Sequence, residues 1–153
     1  MEVLLKSVEE TLRFGERLGK LLKAGDIIAL TGELGSGKTT LVKGIARGMG
    51  VKDPRHVNSP SFVILKEHKG RIPLYHFDVY RLDDPSSMDT VGYKDFFYGS
   101  GASVIEWANK IRELLPDEYL DMELTVTGED SRRLVVEGRG RRYDQILARL
   151  AGR

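Results

Sequence analysis

The chain has no cysteine among its 153 residues. That excludes a disulfide framework, a zinc–thiolate site and a cysteine nucleophile together, and it suits a reducing compartment. No apolar run approaches the ~20 residues that a membrane span requires. The first residues, MEVLLKSVEETLRFG, carry acids where a signal peptide would have a long apolar centre, so the expected location is the cytoplasm, away from membranes. An excess of one charge is lacking too. The 24 Lys and Arg stand against 23 Asp and Glu, a formal net of +1, so the molecule as a whole is no magnet for polyanions. No repeat, low-complexity tract or linker divides the sequence. Its length suits one domain, residues 1–153, with a core that needs no covalent staples.

What is present is uneven. Residues 111–130 hold one Arg against seven acids, and residues 131–153 hold seven Arg against Glu137 and Asp144. A solvated surface is the plainer reading of that basic tail, with RNA or an acidic partner the alternative. Ser7 and Glu10 form a capping-box pattern ahead of a helical stripe of Val8, Leu12, Phe14, Leu18, Leu21 and Leu22, which Gly25 should close. DIIALTG reads as a short buried strand, and Leu41, Val42, Ile45 and Met49 have helical spacing up to Gly48 and Gly50. NSPSFVILKEHKGRIPLYHFDVYRL reads as two strands joined near HKGR. DDPSSMDTVGYKDFFYGSG is turn-rich, and ASVIEW is a further buried strand. MELTVTG and RLVVEG read as a hairpin around EDSR, with a last helix from about Tyr143. This order predicts a three-layer α/β domain.

Between the first buried strand and the second helix stands GELGSGKT, residues 32–39, which matches G-x-x-x-x-G-K-[ST] in full. Glycines let backbone N–H groups turn inward around phosphate oxygens. Lys38 supplies a mobile charge for the outer phosphates, Thr39 a hydroxyl for Mg²⁺, and the following helix aims its positive end at the anion. The expected ligand is a nucleoside triphosphate with Mg²⁺. A metal-side carboxylate belongs at the end of a neighbouring buried strand, and Asp78 and Glu106 both qualify. His76, two residues before Asp78, reads as a structural hydrogen-bonding residue rather than a base. Trp107 should point to the opposite face from Glu106, as a core tryptophan first and a partner contact second. Ser59, Pro60 and Ser61 place hydroxyls on a short stiff loop, suited to sensing the γ-phosphate.

DTVG at residues 89–92 imitates a GTPase motif, but the polar run before it is no strand. In ANKIR, Arg112 stands where a guanine-reading Asp would be, so adenine is expected. A small-molecule kinase with GRGRRYD as a lid, and a nucleotide-binding scaffold without hydrolysis, stay open on the residues alone.

In their order and separation, GELGSGKTT, NSPSF, YHFDVYRL and VIEW resemble the bacterial TsaE family, the P-loop ATPase of tRNA threonylcarbamoyladenosine biosynthesis, from about Thr11 to Trp107. The family usually has Thr where Ser61 stands and often Pro where Ala108 stands. The resemblance implies a three-layer P-loop NTPase domain with a mixed, mostly parallel central sheet. It implies that Lys38 and the loop residues Glu33, Leu34, Gly35, Ser36, Gly37, Thr39 and Thr40 hold ATP, with Thr39 and Glu106 on Mg²⁺. By the same resemblance Asp78 serves hydrolysis alongside Lys38 and Glu106, and Ser59, Pro60 and Ser61 form the switch loop. Thr11, and more weakly Arg133, lie near the base or ribose. It further implies the proteins TsaB and TsaD as partners, with tRNA reached through that complex. TsaD would be the transferase, and this chain would act on its assembly.

Overall fold

In IIALTG no polar side chain precedes Thr31, and such a segment is stable only where both faces are covered. It forms β2 (Ile27–Gly32), the fourth of seven strands in a sheet of order β1-β7-β6-β2-β5-β4-β3. The others are β1 (Glu2–Leu5), β3 (Leu65–His68), β4 (Leu74–Asp78), β5 (Ala102–Glu106), β6 (Tyr119–Val126) and β7 (Arg132–Arg139). The computed structural model describes residues 1–58 and 64–152, so the expected switch loop, Ser59, Pro60 and Ser61, lies outside the described residues. β2 pairs in parallel with β5 and β6, and β5 with β4. The pairs β1–β7, β6–β7 and β3–β4 are antiparallel. Only β7 and β3 therefore run against the rest, and the sheet is mixed but mostly parallel, as expected.

Alternation along β2 sends Ile28 and Leu30 to one face and Ile27 and Ala29 to the other. The first face is covered by α1 (Val8–Leu21), α2 (Lys38–Gly48) and α5 (Arg141–Gly152), whose Leu18, Leu41, Ile45 and Ile146 join the core. The second is covered over β2, β5 and β4 by α3 (Met88–Val91), α4 (Tyr93–Phe97) and the 3₁₀ turns Ala108–Leu114, through Met88, Phe97 and Ile111. These are the three predicted layers. The turn-rich stretch thus resolves into two short helices, and DTVG falls within them.

Ser7 caps α1 as predicted, its Oγ accepting from the Glu10 N–H at 3.1 Å. The buried side of α1 differs from the expected stripe. Val8 is exposed, while Gly15 and Gly19 are buried against α2. A Cβ on Gly15 would stand 2.6 Å from the Leu41 carbonyl oxygen. Side chains on Gly19, Gly44 and Gly48 would come closer still to the carbonyls of Ile45, Leu12 and Glu16. Paired glycines four apart let two backbones touch, and the pairing runs the two helices in the same direction, with both N-termini at one end. β1, too short to show periodicity, was not foreseen. It zips onto β7 from Glu2↔Val135 to Leu5↔Arg132.

Candidate nucleotide-binding site

β2, β5 and β4 are parallel neighbours, so their C-terminal ends lie on one edge, where open α/β sheets bind ligands. From β2 the chain enters the glycine loop. Gly35 at φ 79° and Gly37 at φ 98° take left-handed conformations that let the loop curl back before α2 starts at Lys38. The Glu33 carbonyl accepts from the Ser36 N–H at 3.0 Å, Ser36 is buried, and Leu34 stands out at the tip. Thr40 follows on α2, half-buried.

Lys38 is 5% exposed, and its Nζ donates to the carbonyls of Gly32 at 2.6 Å and Glu33 at 2.9 Å, and to Ser36 Oγ at 3.4 Å. Burial holds its ammonium below the usual lysine range, against the opposing pull of the Glu106 and Asp78 carboxylates. The Trp107 ring closes the other side, its centre 4.1 Å from Nζ, close enough for a cation–π contact.

Asp78 and Glu106 are register partners at the ends of β4 and β5, and a period of two puts both on the face that α2 covers. They are not equivalent. Glu106 is 2% exposed and accepts from the Thr39 hydroxyl, whose Oγ1 lies 3.2 Å from Oε1 and 3.4 Å from Oε2. Asp78 is half-buried, and its Oδ1 accepts from the Tyr80 N–H at 3.0 Å. His76, fully buried on the same face, has its Nε2 2.5 Å from Glu106 Oε2.

Trp107 lies on the expected face, but not as a strand residue. β5 ends at Glu106, and Trp107 has left-handed backbone at φ 63°, the sole non-glycine residue with positive φ among the described residues. Strand alternation therefore does not govern its side chain. The half-buried ring packs on Tyr80, centres 4.7 Å apart, and against the apolar cluster on the face away from α2, so it lies on the expected side at the edge of the core while also reaching Lys38. Left-handed backbone in a residue with a Cβ costs about 1–2 kcal/mol, and a strained residue beside a site is a mark of function.

Thr11 is buried in the first turn of α1, at the end nearest the start of α2, and its hydroxyl bonds the Ser7 carbonyl at 3.4 Å. Arg133 is not brought to the loop. It pairs with Leu4 across the β1–β7 ladder, on the face away from α2, with Glu2 at 3.4 Å. The neighbouring Arg132 is the one that reaches the site, and the sequence reading missed it. Its guanidinium donates to the carbonyls of Ser36 at 2.7 Å and Gly35 at 3.3 Å, and also to Gly128, Glu129 and Ser131 in the β6–β7 turn. Alternation from Leu134 was the available signal, since Arg132 shares that residue's inward face.

The chemistry of the donor set can be tested against the expected ligand. A threonine hydroxyl against a buried carboxylate is a pair of hard oxygen donors, which suits Mg²⁺. A positive-φ glycine loop with a buried lysine at a helix start suits phosphate. The residues fit both groups. A large cleft of about 510 Å³ lies elsewhere, at the opposite end of β2, lined by Lys23, Asp26, Tyr98, Glu118, Arg142 and Tyr143.

A buried parallel strand, a glycine loop with its lysine and threonine, and an acid on the adjacent strand define a P-loop α/β protein. The chain belongs to the TsaE family: the family model described as threonylcarbamoyl adenosine biosynthesis protein TsaE matches residues 5–134. A tRNA threonylcarbamoyladenosine biosynthesis protein TsaE from Bacillus subtilis (strain 168) is 41% identical over 144 residues, covering 94% of this chain and 89% of the relative. A protein of the same description from Treponema pallidum (strain Nichols) is 36% identical over 136 residues, covering 89% and 99%. The crystal structure of Bacillus subtilis YdiB is similar with a TM-score of 0.83 at 33% identity, covering 99% of this chain and 94% of that one. Among the described residues no helix is long and apolar enough to cross a membrane.

Proposed function

We propose that the chain is an ATP-binding, ATP-hydrolysing subunit required to form N6-threonylcarbamoyladenosine at position 37 of tRNAs that read ANN codons. In this reading it acts on the TsaB–TsaD transferase complex and is not itself the transferase. The observation that carries the nucleotide part is the cluster of Lys38, Thr39 and Glu106 at the carboxyl edge of β2 and β5. Family membership carries the tRNA part.

When bound, Mg²⁺ would neutralise phosphate charge and order the triphosphate. Thr39 and Glu106 would hold it, and the loop N–H groups and Lys38 would hold the phosphates. Asp78, beside Glu106 and anchored through Tyr80 N–H, would orient an attacking water. Trp107 would keep bulk water from the lysine. ATP binding would then stabilise the assembly and hydrolysis would release it.

Depletion of the protein should lower threonylcarbamoyladenosine in bulk tRNA, read by nucleoside mass spectrometry, and unchanged levels would sink the proposal. Lys38→Ala should fail to restore the modification and should bind no ATP by calorimetry. A small-molecule kinase would instead show acceptor-dependent phosphorylation with labelled ATP, where this reading expects release of inorganic phosphate alone.

A further inference from the structure

Glu106 is almost fully buried, and a buried carboxylate must be held by donors or lose its charge. Thr39 supplies one donor on the α2 side. His76 supplies the other from the adjacent strand. An ionised carboxylate only accepts, so this bond runs from the Nε2–H of His76 to Glu106 Oε2, at 2.5 Å. It is the one hydrogen bond the described residues give this ring, because Nδ1 is buried with no protein partner. The surroundings make a histidine costly there. Its neighbours on the same face are Leu74, Ala102 and Val104 of the apolar core, with its register partner Lys66 and the His68 ring, the two imidazole centres 6.4 Å apart, on the β3 side. Full burial among core residues gives little reason for a polar ring at residue 76, and the Nε2 bond is the one hydrogen bond that the imidazole makes there among the described residues.

We propose that His76 is a positioning residue of the metal site. Its Nε2–H pins Glu106 in the orientation that faces the Thr39 hydroxyl, and so sets the affinity for Mg²⁺ without touching metal or nucleotide. The inference rests on the nucleotide-binding reading above and extends it to a residue outside the expected ligand set. Carboxylates that bind metals are held by such outer partners, whose loss costs about 10- to 100-fold in metal affinity.

The test is calorimetric titration of the full chain with a non-hydrolysable ATP analogue, in EDTA and across a Mg²⁺ series. In His76→Gln the amide nitrogen reaches the place of Nε2, and in His76→Asn it reaches only that of Nδ1. His76→Asn should raise the Mg²⁺ concentration for half-maximal binding by about 10- to 100-fold. Its affinity in EDTA should stay near that of the wild type, and His76→Gln should stay near the wild type in both. In a Glu106→Gln background His76→Asn should add nothing. An Asn variant with unaltered Mg²⁺ dependence, or one weakened equally in EDTA, overturns the inference while leaving the site reading standing. A wild-type protein whose affinity ignores Mg²⁺ overturns both. Melting temperatures of the nucleotide-free variants are the control: a Mg²⁺ effect that follows stability and not donor position also counts against it.

Discussion

Arg132 shows how much one side chain can do for a glycine-rich loop in which Ser36 alone of residues 33–37 is buried. Its planar fork bonds two carbonyls of the phosphate loop and three of the β6–β7 turn, and thereby ties the glycine loop to the β6–β7 hairpin. Holding the Ser36 carbonyl fixes the peptide that carries the Gly37 N–H, and a fixed N–H direction is what anion binding requires. Arg132→Lys should therefore not substitute, because a lysine is a point donor on a mobile stem. Both Arg132→Lys and Arg132→Ala should weaken ATP by about tenfold or more, since each hydrogen bond to a charged group contributes roughly 1.5–3 kcal/mol. Calorimetry decides it, and an Arg132→Lys variant with wild-type affinity would disprove the bracing role. Arg132 was hard to see in the sequence because RR offers two equal candidates. Register separates them: Arg132 lies on the inward face with Leu134, Arg133 on the outward one.

At the scale of elements, the α1–α2 contact sets where the phosphate loop points, because α2 begins at its lysine. Gly44→Ala would gain about 1 kcal/mol of helix propensity in isolation. Here the new methyl would meet the Leu12 carbonyl, a backbone atom that cannot step aside. Overpacking of this kind costs about 1–3 kcal/mol, so the net effect should be destabilising. Gly152→Ala in α5 is the contrast, with nothing within 4 Å of the added Cβ, and should be neutral. Urea midpoints of the two variants test the comparison, and equal midpoints would mean that the helices separate freely. The strands, the cap at Ser7 and the loop-to-helix transition were legible because each has a local signature. The glycine pairs were not, since their meaning depends on a second helix. The left-handed backbone of Trp107 and its contact with Lys38 were hidden for a similar reason: where a strand ends is decided by the turn beyond it.

For the whole molecule, the last helix is held to the central strand by contacts between residues far apart in the sequence. Glu106 and Asp78 could be found from strand-end position, but the link between residues 27 and 143 spans 116 positions and has no motif. There the Ile27 N–H donates to the Tyr143 hydroxyl at 2.9 Å, while Arg142 grips Asp26 through Nε and Nη2 at 3.0 and 2.7 Å. Burial pushes the Tyr143 phenol up to about 12, and the bond to Asp26 keeps the Arg142 guanidinium above its ordinary range. In the unfolded chain the phenol ionises near 10, so between about 10 and 12 the folded state holds a proton that the unfolded state has lost. Stability is then full below about pH 10 and falls as pH rises toward 12, by up to ~3 kcal/mol from this residue. Arg142 stays charged across that window and does not share in the loss. Tyr143→Phe should lower the urea midpoint at pH 8, because Ile27 N–H loses its acceptor, yet flatten the decline between pH 10 and 11.5. Absorbance at 295 nm should show a late ionisation step in the wild type, from Tyr143, that is missing in the variant. An unchanged alkaline slope in Tyr143→Phe would assign the loss to other groups and free α5 from this role.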